Sequence, residues 1–266
     1  MNAISPRRIA ALALRYLYLL RGSWIRVIEL AYWPTVQMIL WGFITRYLAS
    51  HSDVLTQAAG LLLSGVLLWD ILFRSQLGVS VVFFEELHSR NLGQLFISPL
   101  QPIELILALM TVSLARTLIG VGFAVALAIP FYDFNLFALG PPLIGFFLNL
   151  LLMGWAIGLL VSALVLRHGM GAESIAWAAI FALAPLCGIY YPVATLPGWL
   201  QPLAWALPAS HVFEGMRAAL LDHAFRLDLL LYALLLNAGY LGLGIGVFLA
   251  TVHKARERGS LLQSGE

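Results

Sequence analysis

Charged side chains are scarce in this sequence. They make up 11% of the 266 residues, whereas hydrophobic residues make up 61%. An average soluble domain carries about 25% charged residues, so this chain has too few charges to cover a soluble globule of its size. Lipid must therefore solvate much of its surface. The net charge of +2 is too small to indicate a nucleic-acid partner.

Cysteine and lysine each occur once, as Cys187 and Lys254. A single cysteine excludes an internal disulfide and a metal site built from several cysteines. A phosphate-binding loop requires the pattern Gly-x4-Gly-Lys-Ser/Thr, and Lys254 is followed by Ala255. The chain is therefore expected to have no ATP site of this kind. No acidic cluster suits a metal-dependent transferase either, so the chain is expected to bind no metal or other cofactor and not to be an enzyme.

Long uninterrupted apolar runs dominate the sequence. They are about 20–30 residues long, which suits a helix across a bilayer, whereas a membrane strand needs only about 10 residues that alternate with polar ones. Helices and closed barrels both satisfy the backbone internally, and the run length favours helices. We predict an all-α, polytopic integral membrane protein with six transmembrane helices, at about 28–48, 55–84, 103–130, 139–166, 174–191 and 227–252.

Positive side chains are distributed unequally between the two sides of these spans. With the N-terminus inside, ten of them lie in inner segments and three in outer segments. The inner ones are Arg7, Arg8, Arg15, Arg21, Arg26, Arg90, Arg167, Lys254, Arg256 and Arg258, and the outer ones are Arg46, Arg217 and Arg226. Because inner loops carry the excess of positive charge, both termini are predicted to be cytoplasmic.

The N-terminal segment, 1–27, is predicted to lie on the inner surface of the membrane. Residues 6–26 form an amphipathic helix in this interpretation, with five arginines within roughly 140° of arc. The opposite face is formed by Ile9, Leu17, Leu20 and Trp24. Such a helix lies in the headgroup layer with its arginines toward anionic lipid.

The polar segment 85–98 is the longest break between apolar runs on the inner side. Glu85 and Glu86 are expected at the N-terminus of a short helix, and Ser98-Pro99 at its end. An apolar knob at i, i+3 and i+4 is formed by Leu92, Leu95 and Phe96. A short helix of this kind either lies on lipid or docks into a partner, and the pattern leaves both open.

The segment 192–226 is apolar but cannot form one straight helix. Four prolines interrupt it: Pro192, Pro197, Pro202 and Pro208. We predict an outer re-entrant helical hairpin, which is tolerated only where it packs against protein or faces water. It carries a polar cluster of His211, Glu214 and Arg217. Glu214 and Arg217, at i, i+3, can pair. His211 and Glu214, also at i, i+3, resemble half of a metal pair, but the sequence offers no second such pair, so the cluster is expected to stabilise the helix rather than bind a metal.

Three charged residues lie inside predicted spans. Asp70 and Arg74 are spaced i, i+4 and can pair on one helix face, and Arg116 lies near the middle of the third span. Each would cost about 2.5–3.5 kcal/mol at the bilayer centre if it faced lipid. They are therefore predicted to face the interior. There they form either a buried network that fixes packing or part of a transport pathway.

Two pairs of glycines have the four-residue spacing that allows close helix contact, Gly154/Gly158 and Gly242/Gly246. This pattern is common in membrane helices and does not by itself indicate a dimer. Both pairs are predicted to pack against helices of the same chain.

Over nearly its whole length the chain resembles the membrane subunit of the type-2 ABC exporter family. The resemblance rests on the arginine-rich N-terminal helix, the six spans, the stretch 92–99, and above all the outer segment. In that segment the characteristic residues run from Tyr191-Pro192-Val193 through Leu196-Pro197 to Pro208-Ala209-Ser210-His211-Val212-Phe213-Glu214-Gly215-Met216-Arg217.

The resemblance implies a single permease domain, 1–266, in the bacterial cytoplasmic (inner) membrane. Spans one to five would occupy 28–191 and the outer hairpin 192–226. The sixth span would occupy 227–252, and a cytoplasmic tail 253–266.

The resemblance also implies partners. Two permease copies, expected to be identical, form the export pathway, and separate ATP-binding subunits that hold ATP and Mg²⁺ dock beneath them. The segment 85–98 would be the coupling helix. Leu95 and Phe96 would fill a cleft on the ATPase, with Glu85, Glu86 and Arg90 at its rim. Family members export polysaccharides, lipid-linked glycans, drugs and other amphiphiles, and the sequence does not choose among these substrates.

A self-contained secondary transporter or channel is the competing hypothesis. It would need no partner and would show an inverted repeat, and no internal repeat is visible in the sequence. An intramembrane serine protease is disfavoured, because the histidine that Ser64 or Ser80 would require is not evident in a later span.

Overall fold

The computed structural model describes residues 4–49, 53–132 and 136–258. Within these ranges the regular structure is helical, which confirms the all-α prediction. The α-helices in chain order are α1 (Pro6–Arg21), α2 (Trp24–Ala49), α3 (Asp53–His88), α4 (Leu92–Ile97), α5 (Pro102–Tyr132), α6 (Pro142–His168), α7 (Glu173–Leu183), α8 (Gln201–Trp205), α9 (Pro208–Leu221) and α10 (Leu227–Glu257). Short 3-10 turns occupy Leu136–Leu139, Met170–Ala172 and Val193–Thr195.

Five helices of the described ranges are long and apolar enough to cross a membrane. The candidate spans are Trp24–Tyr47, Gly60–His88, Pro102–Tyr132, Pro142–His168 and Leu227–Glu257. They correspond to the first four predicted spans and the sixth. The shortest has 24 residues. At 1.5 Å per residue it reaches about 36 Å, more than the roughly 30 Å of bilayer hydrocarbon.

The predicted fifth span, 174–191, is not one continuous helix. α7 ends at Leu183 after 11 residues, which reach only about 16 Å. Pro185 then lacks the N–H that would extend the helix, and Gly188 has a positive φ of 63°. Turns and bends therefore carry the chain through residues 184–191.

α3 lies at the centre of the bundle. It packs against α2, α5 and α6, and α6 packs in turn against α10. One group of buried side chains, including Phe83, Leu92 and Phe248, lies at the end that carries α1 and α4, which we call the basal end. A second group, including Phe146 and Phe213, lies at the opposite, distal end, which carries α8 and α9.

Only one of the two glycine pairs packs inside the chain. A Cβ at Gly154 or at Gly158 would lie 2.8 Å from a backbone carbonyl oxygen of α3, so the absence of a side chain is what lets α6 approach α3. A Cβ at Gly242 or Gly246 would meet no atom of the described residues within 4 Å. The prediction of internal packing is therefore confirmed for the first pair and wrong for the second.

The N-terminal helix ends earlier than predicted. α1 stops at Arg21 and α2 starts at Trp24, so two helices replace the single predicted helix 6–26. α1 packs against α5 and α2, and it buries Leu12, Ala13, Tyr16 and Leu20. Of the four residues predicted on its apolar face only Leu20 is buried, and Trp24 is 72% exposed. α1 therefore rests on protein along one face, rather than on lipid alone.

Candidate functional site

The two charged residues of the second span form a buried ion pair. Arg74 Nε donates to Asp70 Oδ2 at 2.5 Å, and both residues are 9% exposed. They lie one helical turn apart near the middle of the candidate span Gly60–His88. This pairing is the one that their spacing predicted.

A proline in the neighbouring helix α2 leaves a backbone carbonyl free to accept a second hydrogen bond from the Arg74 guanidinium. Pro34 lies inside α2 and has no N–H, so the carbonyl of Leu30 lacks its usual i+4 donor. Arg74 Nη1 donates to that carbonyl oxygen at 2.9 Å. Sequence reasoning missed this contact, although the proline four residues after Leu30 was the signal for it.

A glycine on α5 completes the pocket of the guanidinium. A Cβ at Gly120 would lie 2.7 Å from Arg74 Nη1, so only glycine leaves this space for the arginine. Together the contacts of Arg74 join α2, α3 and α5 at the middle of the membrane-spanning region. An unpaired donor or charge there would carry a large desolvation cost.

Arg116 does not join this pair. It is half-buried on α5, and it has no ion-pair or hydrogen-bond partner among the described residues. The charged groups close enough to act on it are Glu85, Glu29, Arg26 and Arg74. The structure therefore separates Arg116 from Asp70 and leaves its guanidinium at the basal half of the bundle.

The distal cluster closes the loop after α7 onto α9. Arg217 Nη2 donates to the carbonyl oxygen of Tyr191 at 2.7 Å and also to that of Gly188. Glu214 accepts from the backbone N–H of Val193 at 2.6 Å, and its Oε1 lies 3.3 Å from Arg217 Nη1. The predicted pairing of Glu214 with Arg217 is thus present, and both side chains also bind backbone.

His211 contributes to the same region through different contacts. Its Nε2 lies 2.9 Å from the carbonyl oxygen of Trp205, and its ring lies 5.0 Å from the Trp205 ring and 6.1 Å from that of Tyr232. No group of metal-binding side chains is found among the described residues. The histidine joins α8, α9 and α10 rather than forming a ligand set.

The segment 85–98 contains a shorter helix than predicted. α3 continues through Glu85 and Glu86 to His88, and α4 begins only at Leu92. The two carboxylates therefore end α3 and do not open α4. Both carboxylates are held at the end of α3 because they pair with arginines of the N-terminal segment. Arg26 donates to Glu85 at 3.1 Å, and Arg15 lies 2.9 Å from Glu86, which is 2% exposed.

The side chains of α4 point in different directions. Leu92 is 1% exposed and belongs to the basal core, Leu95 is half-buried, and Ile97 is 83% exposed. Arg90, in the turn before α4, is exposed and has a φ of 53°. The side chain of Phe96 lies outside the described part of the structure. Ile97, which the sequence interpretation did not select, is thus an exposed apolar residue of this helix.

A network of hydrogen bonds ties α4 to α3 and α1. Asn91, directly before α4, donates from Nδ2 to Glu86 Oε2 at 2.7 Å, and the same carboxylate pairs with Arg15. Burial and the nearby charge of Glu86 raise the pKa of the Tyr16 phenol well above its ordinary value, so the phenol stays protonated. α1, the end of α3 and α4 therefore share one buried polar cluster.

Glu104, which sequence reasoning overlooked, anchors the start of α1. It is 0% exposed and accepts from the backbone N–H of Ser5 at 2.7 Å, from Arg8 Nη2 at 2.6 Å and from the backbone N–H of Gln101 at 3.0 Å. A carboxylate two residues into a long apolar helix was the available signal. It binds the arginine face that was expected to contact lipid.

The profile of the ABC-2 type transporter family matches residues 16–221. The chain belongs to the ABC-2 type transporter family. It is a membrane permease component of an ABC transporter, not an enzyme, and ABC-2 permeases work with an ATP-binding subunit. No curated protein matches the sequence significantly.

The match runs from the middle of α1 to the end of α9. It contains the Asp70–Arg74 pair, the α4 segment and the distal cluster of Glu214 and Arg217, whereas Arg8 and Arg15 of α1 lie before it. α10 lies beyond the matched residues.

Glu104→Ala is expected to release α1 from this ABC-2 permease. The change removes the carboxylate that accepts from Arg8 and from the backbone N–H of Ser5, and hydrogen bonds to a charged group contribute about 1.5–3 kcal/mol. With Cys187→Ala as background, a cysteine in place of Leu12, a buried residue of α1, should then react with a maleimide at least about tenfold faster.

Glu257→Ala is the matched control, because its carboxylate is exposed and lies far along the chain from α1, in contact with His253. It should leave the labelling rate unchanged. An unchanged rate in Glu104→Ala would show that packing alone holds α1 in place.

Proposed function

We propose that two copies of this ABC-2 permease form the translocation pathway for an amphiphilic, glycan or drug-like export substrate. A separate subunit binds ATP with Mg²⁺ and hydrolyses the ATP. The observation that carries the proposal is the family match over residues 16–221 in a sequence whose only lysine, Lys254, is not in a phosphate-binding loop. A permease without an ATP site needs a partner to supply the energy.

α4 is proposed as the coupling helix that receives the motion of that partner. Its exposed Ile97 and half-buried Leu95 offer an apolar contact. Phe96, which the sequence places in the apolar knob, is proposed to join them. Arg90 is exposed beside it. Because Asn91 is hydrogen-bonded to Glu86 at the end of α3, displacement of α4 would be passed directly to the central helix.

The roles of the two carboxylates change in this proposal. Glu85 and Glu86 were assigned to the rim of the ATPase cleft, but Glu86 is buried and both are paired with arginines of α1 and α2. We therefore assign Glu86 to holding α1 and α4 on α3, and Glu85 to holding the start of α2 there. Arg90 stays assigned to the rim.

We propose six crossings, with the fifth formed by α7 and the turns that follow it. Aromatic contacts of this segment with α2 and α3 support the proposal. Trp177 and Phe181 pack on Phe73 in the middle of α3, and Tyr190 stacks on Trp41 at 4.8 Å between ring centroids. The segment 192–226, with its two short helices α8 and α9, is then the re-entrant hairpin at the outer surface.

Both termini are proposed to be cytoplasmic, so a cysteine at the distal end should be labelled from outside the cell. In a Cys187→Ala background, Asp222→Cys is expected to react with an impermeant maleimide in intact cells, and Ser89→Cys only after the membrane is opened. Both positions are exposed. Ser52, Asp133 and Ser260 would test the same topology but lie outside the described residues. Labelling of Ser89→Cys in intact cells would reverse the orientation.

Purification of the tagged permease from its own membranes tests the functional proposal. A P-loop ATPase should co-purify, and the complex should hydrolyse ATP, while the permease alone should not. Transport by the permease in liposomes without any ATPase would instead support a secondary transporter.

A further inference from the structure

A groove lies at the basal end between α6, α7 and α10. One part is a cavity of about 380 Å³, whose walls include Leu164, Ile175 and Val247. A second cavity of about 250 Å³ lies toward the end of α10 and is lined by Lys254 and Arg258. Arg167, Val247 and Thr251 line both cavities, so they form one continuous feature, the α6–α10 groove.

Positive charge collects at one end of this groove. Arg167, Lys254 and Arg258 line it, and none of the three has an ion-pair partner among the described residues. No carboxylate lines either cavity within the same part of the chain. Glu257, the acidic residue next to Arg258, pairs with His253 instead. Three cations along one pocket that no carboxylate of the described residues lines favour an anionic ligand.

The other end of the groove is apolar, and its α6 and α10 walls belong to candidate spans. Leu160, Leu164 and Val247 face it from α6 and α10, and Ile175 and Ala179 from α7. The hydroxyl of Thr251, which also lines the groove, already donates to the carbonyl oxygen of Val247 at 2.8 Å. The groove thus offers hydrocarbon contacts at the depth of acyl chains and cations at the end of the helices.

We propose that the α6–α10 groove binds an anionic phospholipid of the surrounding bilayer, with its phosphate at Arg167, Lys254 and Arg258 and an acyl chain along Val247 and Leu164. Cations at one end and apolar side chains along the rest match the charged headgroup and hydrocarbon tail of such a lipid. α10, which carries Lys254 and Arg258, lies outside the family match, and the proposal does not depend on the proposed function.

Native mass spectrometry of the detergent-purified full-length permease tests the proposal, with dioleoyl-phosphatidylglycerol as the probe. The Lys254→Gln, Arg258→Gln variant should bind it about 30-fold more weakly, which is about 2 kcal/mol for two cations. Arg7→Gln with Arg21→Gln removes the same charge from exposed positions of α1, and should leave this affinity within about twofold. Dioleoyl-phosphatidylcholine and glycerol 3-phosphate should bind weakly to every variant.

Val247→Trp tests the apolar half with all charges kept. Val247 is 38% exposed and lines both cavities, so a large side chain there should fill the groove and lower phosphatidylglycerol binding at least about tenfold. Gel filtration and circular dichroism confirm that each variant is folded.

Three results would overturn the proposal. Equal losses in the groove and α1 double variants would mean nonspecific surface attraction. Unchanged lipid binding by Val247→Trp would mean that no chain enters the groove. Unchanged lipid binding together with loss of the ATP-binding subunit in the Lys254→Gln, Arg258→Gln variant would make this surface a protein interface.

Discussion

Arg74→Ala is expected to destabilise the folded permease by about 3–5 kcal/mol, because it leaves the Asp70 carboxylate buried without its partner. The same change removes the donor to the Leu30 carbonyl, which Pro34 leaves free within α2. Thermal unfolding in detergent, followed by tryptophan fluorescence, measures the loss. Arg46→Ala, an exposed arginine at the end of α2, should change the midpoint little.

Two further variants separate the contributions at this site. The double change Asp70→Ala, Arg74→Ala should cost less than the sum of the single changes, since neither charge is left alone. In a Pro34→Ala background, position 34 regains an N–H for the Leu30 carbonyl, so Arg74→Ala should cost about 1 kcal/mol less than in the wild type. Strictly additive losses in both experiments would mean that neither contact contributes to stability.

Ile97→Ala combined with Leu95→Ala is expected to weaken association with the ATP-binding subunit at least about 30-fold. Apolar anchors buried at the centre of an interface contribute about 2 kcal/mol or more, and Leu95 and Ile97 are accessible apolar side chains among those that the structure describes on α4. Phe96→Ala should act in the same direction. The measurement is the affinity of the purified subunits, with gel filtration as the test of folding.

A matched control is available on α10. Leu235 is 71% exposed but lies inside a candidate membrane span, so Leu235→Ala should leave ATPase affinity unchanged. Arg90→Ala should weaken association less than the α4 double variant, because exposed charges at a rim contribute about 0–1 kcal/mol. Wild-type affinity in the Leu95→Ala, Ile97→Ala variant would mean that the coupling surface lies elsewhere.

The helices that cross the membrane were predictable because each is encoded locally. Long apolar runs have one way to satisfy their backbone in lipid, and the i, i+4 spacing of Asp70 and Arg74 determines their pairing on any helix. The fifth span was predicted less well. Apolar composition alone does not distinguish a straight helix from α7 followed by turns, and Pro185 and Gly188 decide the outcome.

The contacts of the basal end could not be predicted in the same way, because they join residues distant in sequence. Glu104 binds Arg8 across 96 positions, and Glu86 binds Arg15 across 71 positions. A helical wheel places the arginines of α1 on one face, but it does not say whether that face meets lipid or carboxylates. For the same reason Glu85 and Glu86 were assigned to the start of the wrong helix.

The glycine pairs show a similar limit. Gly154 and Gly242 have equivalent local sequence patterns, yet only the first faces another helix of the chain. Which face of a membrane helix is covered depends on the arrangement of the whole bundle. Ile97 was also missed for this reason, since its exposure follows from how Leu92 enters the basal core.

A photocrosslink at position 97 tests most directly the claim that α4 is where an ATP-binding subunit acts on this permease. A benzophenone amino acid is placed at Ile97, or at Leu235 as control, and native membranes are irradiated. We expect a light-dependent adduct between the permease and a P-loop ATPase from position 97 and none from position 235. Absence of that adduct from position 97, with the complex intact in the same membranes, would contradict the account.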